Sequence, residues 1–138
     1  MADNKLLAKL GAPEIGAPGI ERRPARHTVD IRTIDMAGDM DIEVGFVVKK
    51  PQAAEGQVQP GVQPAGRYAH LTYSRYALRG NQALSIWAKD NNIALDNNIT
   101  PAGDAFACRY EAYLTDYQVE PRKTKWQVDL AIKLVDGP

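Results

Sequence analysis

Glu111 lies in the run Asp104-Ala105-Phe106-Ala107-Cys108-Arg109-Tyr110-Glu111-Ala112-Tyr113-Leu114. Period-two alternation puts Phe106, Cys108, Tyr110, Ala112 and Leu114 on one face of a strand and Arg109, Glu111 and Tyr113 on the other. A carboxylate beside aromatic rings is either a solvated edge charge or the floor of a pocket that neutralises a cation. In a pocket, burial strengthens its pull on a cation, and Tyr or Trp faces add cation–π attraction of about 0.5–2 kcal/mol each. As an edge charge paired with an exposed lysine or arginine it is worth little. Residue types alone favour the edge charge.

Other chemistries find less support. His27, His70 and Cys108 have no metal-ligand spacing, and no glycine cluster leads into a helix as a phosphate loop or nucleophile elbow would. The single cysteine falls on the apolar face of its strand, as a buried structural thiol does. No metal and no cofactor is expected. Tyr68 and His70 share a strand face; for His70 a partly exposed sheet position is the simpler account. Trp87, on the apolar side of a helix, and Phe46, on a hairpin, are core residues on the same reasoning. Asp41 and Glu43 read as solvated edge charges.

The elements that must position these residues follow from a chain of 138 residues, enough for one domain with a real core. A content of 44% apolar and 25% charged residues is globular. Lys plus Arg equals Asp plus Glu at 17 each, with no basic block to form a phosphate-binding stripe, which disfavours direct nucleic-acid binding. No apolar run reaches the roughly 20 residues of a membrane helix, and the N-terminus lacks a secretory layout. A cytoplasmic protein without membrane contact is the expectation.

Residues 3–10 read as a short helix between Asp3 and Gly11, and 12–25 as a Pro/Gly-rich loop or extended segment. Strands are expected over His27–Met36 and Asp41–Lys49, joined by a turn at Ala37-Gly38-Asp39. A surface loop containing Pro51, Pro60 and Pro64 follows. Then come a strand over Arg67–Arg75, an amphipathic helix over Leu78–Asn92, and strands over Asp104–Leu114 and Lys125–Leu134. This order suggests an α+β fold, one antiparallel sheet with helices on one face. Glu111 is expected on the opposite face, open to a ligand.

The run Arg109-Tyr110-Glu111-Ala112-Tyr113-Leu114-Thr115-Asp116, then Glu120-Pro121 and Lys125-Trp126, resembles the end of GyrI-like domains. These are the effector-binding domains of AraC- and MerR-type transcription activators. Pro64-Ala65-Gly66-Arg67-Tyr68-Ala69, Asn81-Gln82-Ala83-Leu84 and Trp87 are similar to that family's second-half strand and helix. Ile34-Asp35-Met36 with Asp41-Ile42-Glu43-Val44-Gly45 is similar to its first-half hairpin. The resemblance implies two strand-helix-strand-strand repeats related by a pseudo-two-fold, with a cleft between them. It implies that Glu111 receives cationic lipophilic compounds, that Tyr113 shares its face, and that Trp126 comes to the cleft from the next strand. Tyr68, His70, Phe46 and Trp87 are the further candidate lining residues.

Two departures qualify the match: the first repeat is compressed, and Ser74-Arg75-Tyr76 stands where many members have a glycine and proline. The expected organisation is a single ligand-binding domain over 1–138, with an N-terminal segment over 1–26, a first-half hairpin over 27–50 and a complete second half over 62–136. It has no DNA-binding domain of its own and acts as a stand-alone protein that senses or sequesters a cationic or amphipathic small molecule. The first alternative is a hydrolase of strained or electrophilic compounds with Glu111 as general base. The second is a homodimeric module, in which a second copy covers apolar sheet left bare by the compressed repeat.

Overall fold

β-Branched residues and the spacing of glycine and proline decide where this chain pairs with itself. The computed structural model describes residues 15–35, 40–75, 77–101 and 103–136. In chain order the elements are β1 (Gly19–Arg23), β2 (Arg26–Asp35), β3 (Met40–Val48), β4 (Gln59–Gln63), β5 (Gly66–Ser74), α1 (Ala77–Asp90), β6 (Asn97–Thr100), β7 (Gly103–Phe106), β8 (Arg109–Tyr113), a 3-10 turn (Lys123–Lys125) and β9 (Gln127–Lys133). They form a four-stranded sheet ordered β1-β5-β9-β8, a three-stranded sheet ordered β3-β2-β4 and a two-stranded sheet β6-β7. The chain divides into two compact units, one made of the residues up to Arg22 and from Arg67 onward, the other of Arg23–Gly66.

This overturns the expected α+β arrangement of two repeats with helices on one face of a single sheet. The chain is mostly antiparallel strand in three sheets, with α1 the one α-helix among the described residues. Three segments account for the difference. Gln59–Gln63, expected in a loop because of its proline and glycine, pairs antiparallel with β2 and makes a third strand where a repeat would need a helix. Gly19–Arg23, expected as a crossing segment, joins the edge of the larger sheet beside β5. The strand expected over Asp104–Leu114 breaks at Ala107-Cys108, and its first part turns away to pair with β6. The helix expected over residues 3–10, the turn at Ala37-Gly38-Asp39, Tyr76 and the side chains of Asp41 and Glu43 lie outside the described residues.

In the larger unit, β9 pairs antiparallel with both β5 and β8. The register sets Ala69, Leu71 and Tyr73 opposite Ile132, Leu130 and Val128, so these six share one face. With Leu84 of α1 they form the core, and Ala83, Trp87, Ile93 and Phe106 pack against it. The helix ends where its carbonyls are satisfied. Asn92 takes the left-handed conformation at φ 55°, its N–H donates to the Lys89 carbonyl, and the Ile93 N–H donates to the Ala88 carbonyl at 2.8 Å. This pattern closes the last turn and carries Ile93 back onto the core.

One glycine permits the close contact between helix and sheet. Gly80 is buried inside α1, and a methyl group there would meet Cδ2 of Tyr73 at 2.8 Å. A helix-interior glycine is about 1 kcal/mol worse than alanine for helix formation. Here its missing side chain is the space that the Tyr73 ring occupies.

In the smaller unit, the registers place Val29 and Ile31 on one face with Val44, Phe46 and Pro60. Phe46 is 78% exposed on that face. On the other face Asp30 stands opposite Gly45 and Gln59, and Thr28, opposite Gly61, donates to its Oδ2 at 2.6 Å. A methyl at Gly45 would run into the Val29 carbonyl and the Asp30 carboxylate, and one at Gly61 into the same carboxylate. These glycines make room for a carboxylate lying flat across the sheet. Among the described residues, no helix is long and apolar enough to cross a membrane.

Candidate functional site

β8 is the edge strand of the four-stranded sheet, and its alternation is kept: Arg109, Glu111 and Tyr113 stand opposite Ile132, Leu130 and Val128 of β9. They therefore share the face on which α1 packs, which corrects the expected placement of Glu111 on the face away from the helix. The cause is the strand's edge position. Apolar Tyr110 and Ala112 suggest an inward face, yet at the edge the residues beside the helix are the polar ones. There the side chains of β8 reach groups projecting from α1.

Those groups hold Glu111 in place. Asn81 of α1 donates from Nδ2 to Glu111 Oε1 at 3.1 Å, and Arg109 Nη2 donates to Asn81 Oδ1. The hydroxyl of Tyr73 makes a further hydrogen bond to Glu111. Burial first, then the negative charge and hydrogen bond of Glu111, push the Tyr73 phenol well above the usual tyrosine range. It stays protonated and donates. Arg109, Asn81, Glu111 and Tyr73 thus form one hydrogen-bonded chain linking edge strand, helix and central strand. Arg109 also lies 4.9 Å from the centre of the Phe106 ring.

Beside this chain opens a cleft of about 330 Å³, lined by Tyr73, Arg75, Glu111, Tyr113, Lys123, Thr124, Trp126 and Val128. Val128 and Tyr73 are buried, whereas Glu111 and Tyr113 are exposed. Tyr113 and Trp126 meet edge to face, with ring centroids 5.8 Å apart. Trp126 is fixed by its indole N–H, which donates to the Glu120 carbonyl at 2.6 Å. The loop carrying Glu120 is closed by Asp116, whose Oδ1 accepts from the Gln118 N–H at 2.8 Å and whose carbonyl accepts from the Glu120 N–H at 2.9 Å. Arg75, just after β5, stands in the left-handed region at φ 56°.

Such an arrangement offers an apolar floor, two aromatic rings, one carboxylate and two cations to a molecule entering from solvent. Among the described residues no group of His, Cys, Asp and Glu is placed to hold a metal ion.

Neither a family nor a curated protein matches this sequence. Solved structures do match its fold. The chain is similar to the crystal structure of the EcmrR C-terminal domain at 14% identity and a TM-score of 0.66, over 88% of this chain and 99% of that one. It is also similar to EcmrR in the cryo-EM structure of an EcmrR–DNA complex, at 14% identity and a TM-score of 0.66. That match spans 96% of this chain and 62% of the other. At this identity the likeness is one of fold, and it fits the GyrI-like resemblance drawn from the residues.

Of the residues singled out in the sequence, Glu111, Tyr113 and Trp126 come together in the cleft. Tyr68 and His70 do not join them, because the β5–β9 register places both on the opposite face of the sheet. There Tyr68 is buried edge to face against Tyr110, and His70 Nε2 lies 3.7 Å from Glu21. Trp87 packs against the core and is absent from the cleft lining. Phe46 belongs to the other compact unit. Tyr73, Asn81, Arg75, Lys123 and Thr124 were missed as site residues. Tyr73 carries a signal in the sequence: Gly80 in the middle of an amphipathic helix marks a close approach, and a ring fills it.

Proposed function

We propose that this protein binds a small amphipathic molecule in the cleft, with Glu111 as the charge partner of a cationic group and Tyr113 and Trp126 against its apolar body. The observation that carries this reading is the held carboxylate. Tyr73 and Asn81 fix Glu111 at the edge of an apolar floor, beside two aromatic rings, so a ligand need not order it on binding. The likeness in fold to a domain of EcmrR, a protein captured in a complex with DNA, supports an effector-sensing role over a structural one. The chain would sense or sequester its ligand as a cytoplasmic protein.

The test is a fluorescence titration of wild type and Glu111→Gln with a hydrophobic cationic dye. The expected outcome is a loss of about tenfold in affinity, roughly 1.4 kcal/mol. Equal affinity in both proteins removes Glu111 as the charge partner.

One observation favours a second reading, the hydrolase. The Tyr73 phenol, kept protonated beside Glu111, makes a donor and base pair of the kind that activates water against an electrophile. Incubation with a panel of electrophilic compounds decides it: turnover that is lost in Glu111→Gln supports hydrolysis, and its absence across the panel leaves binding.

A further inference from the structure

Arg109 and Glu111 are two residues apart on β8 and stand on the same face, beside α1. Side chains so placed leave their strand roughly 7 Å apart, within the span of an arginine stem, so a direct ion pair between them is the ordinary outcome. Here Arg109 Nη2 donates instead to Asn81 Oδ1, and Asn81 Nδ2 donates to Glu111 Oε1 at 3.1 Å. The Tyr73 hydroxyl also donates to Glu111, so among the described residues both of its hydrogen-bond donors are neutral. We propose that Asn81 is a positioning residue that sets the selectivity of the cleft. Its amide holds the Arg109 guanidinium off Glu111 and so keeps the charge of that carboxylate for a cationic group of the ligand.

The chemistry of an amide suits this place, since its oxygen only accepts and its nitrogen only donates. Between a guanidinium and a carboxylate one orientation satisfies both partners, and the flipped one sets donor against donor and oxygen against oxygen. The backbone brings the amide there: Gly80 lets α1 approach the Tyr73 ring, and Asn81 is the next residue. Asparagine is a poorer helix former than alanine or leucine, so within α1 the position carries a cost that the bridge offsets. A direct pair would change what a ligand meets. An entering cation would find an Arg109–Glu111 dipole in place of a net negative charge, and would have to displace a guanidinium to reach the carboxylate. Exposed ion pairs are weak, which bounds the loss of affinity at about fivefold.

This inference rests on Glu111 as the charge partner of a cationic ligand, and the experiment separates the two. A cationic rhodamine ester and an uncharged fluorescein ether ester of the same ring system are titrated by fluorescence anisotropy, and the ratio of their affinities is the readout. A variant that loses part of its fold loses affinity for both dyes, and the ratio cancels that loss. Asn81→Ala should lower the preference for the cationic dye about fivefold, and Arg109→Gln added to it should restore the preference to within about twofold of wild type. Alanine favours the helix and Arg109 is exposed, so both changes leave a folded protein. If Asn81 did no more than order Glu111, removal of Arg109 would restore nothing, because it supplies no new bond to the carboxylate. A preference lost in Asn81→Ala and not recovered with Arg109→Gln overturns the role of Asn81, as does a preference that Asn81→Ala leaves unchanged. In either case a preference that falls in Glu111→Gln keeps Glu111 as the charge partner. No preference in wild type, or one that Glu111→Gln leaves intact, overturns both.

Discussion

In the four-stranded sheet the alternating residues Leu71, Leu130 and Ile132 are at most 1% exposed, whereas in the three-stranded sheet Ile31, Val44, Phe46 and Val62 range from 43% to 78%. Both sets are read from the same period-two pattern, and both are rich in strand-forming side chains. What differs is what each sheet packs against. Leu84 of α1 lies over the first set, while among the described residues of Arg23–Gly66 there is no helix for the second. Alternation specifies which residues share a face. It says nothing about whether that face is covered.

The largest expected effect tests the covered side of this contrast. Leu130 is fully buried at the centre of β9, between Leu71 of β5 and the edge strand β8. Leu130→Ala should destabilise the protein by about 2–5 kcal/mol, the range for a buried leucine that leaves a cavity. Denaturant unfolding measures this. A loss below about 1 kcal/mol would mean that the helix and sheet close over the gap and that the core is looser than its burial indicates.

A smaller effect joins the core to the cleft. Gly80→Ala would stabilise an isolated helix by about 1 kcal/mol. In this protein the added methyl meets the Tyr73 ring, so we expect a net loss of about 1–3 kcal/mol from overpacking. Moving the ring also moves the hydroxyl that holds Glu111, so dye affinity should fall even where the variant is fully folded. Stabilisation with unchanged binding would show that Tyr73 can shift without cost and that its bond to Glu111 does not position the carboxylate.

These two residues also indicate how far the sequence could be read. The strands His27–Met36, Asp41–Lys49 and Arg67–Arg75, and the helix over Leu78–Asn92, are observed within about two residues of their expected bounds, because each has a strong period and clear end signals. Glu111, Tyr113 and Trp126 are expected at a cleft from the GyrI-like resemblance and not from spacing, and the three line the same cleft in the structure. Register was not legible. Whether Glu111 faces the helix depends on its standing opposite Leu130, and pairing between strands distant in sequence leaves no local trace. For the same reason Tyr68 and His70 were grouped with a site on the other side of their sheet. β4 was missed because Pro60 and Gly61 read as turn residues, although an edge strand tolerates both.

The smallest expected effect tests the uncovered side. Truncating a buried phenylalanine to alanine costs about 3–5 kcal/mol, whereas surface substitutions stay within about 0.5 kcal/mol. Phe46, with 78% of its surface exposed, belongs with the latter despite its size and its place mid-strand. Phe46→Ala should therefore leave the unfolding midpoint almost unchanged, the reverse of Leu130→Ala on an equally regular strand. Its neighbour across the sheet, Val29, is only partly buried and has little packing to lose. A loss above about 2 kcal/mol would be a core-sized effect from a residue with no core around it. It would require that Phe46 be covered in solution, and the difference between the two sheets would then lie in the source of the cover, since α1 supplies it to one of them from within its own unit.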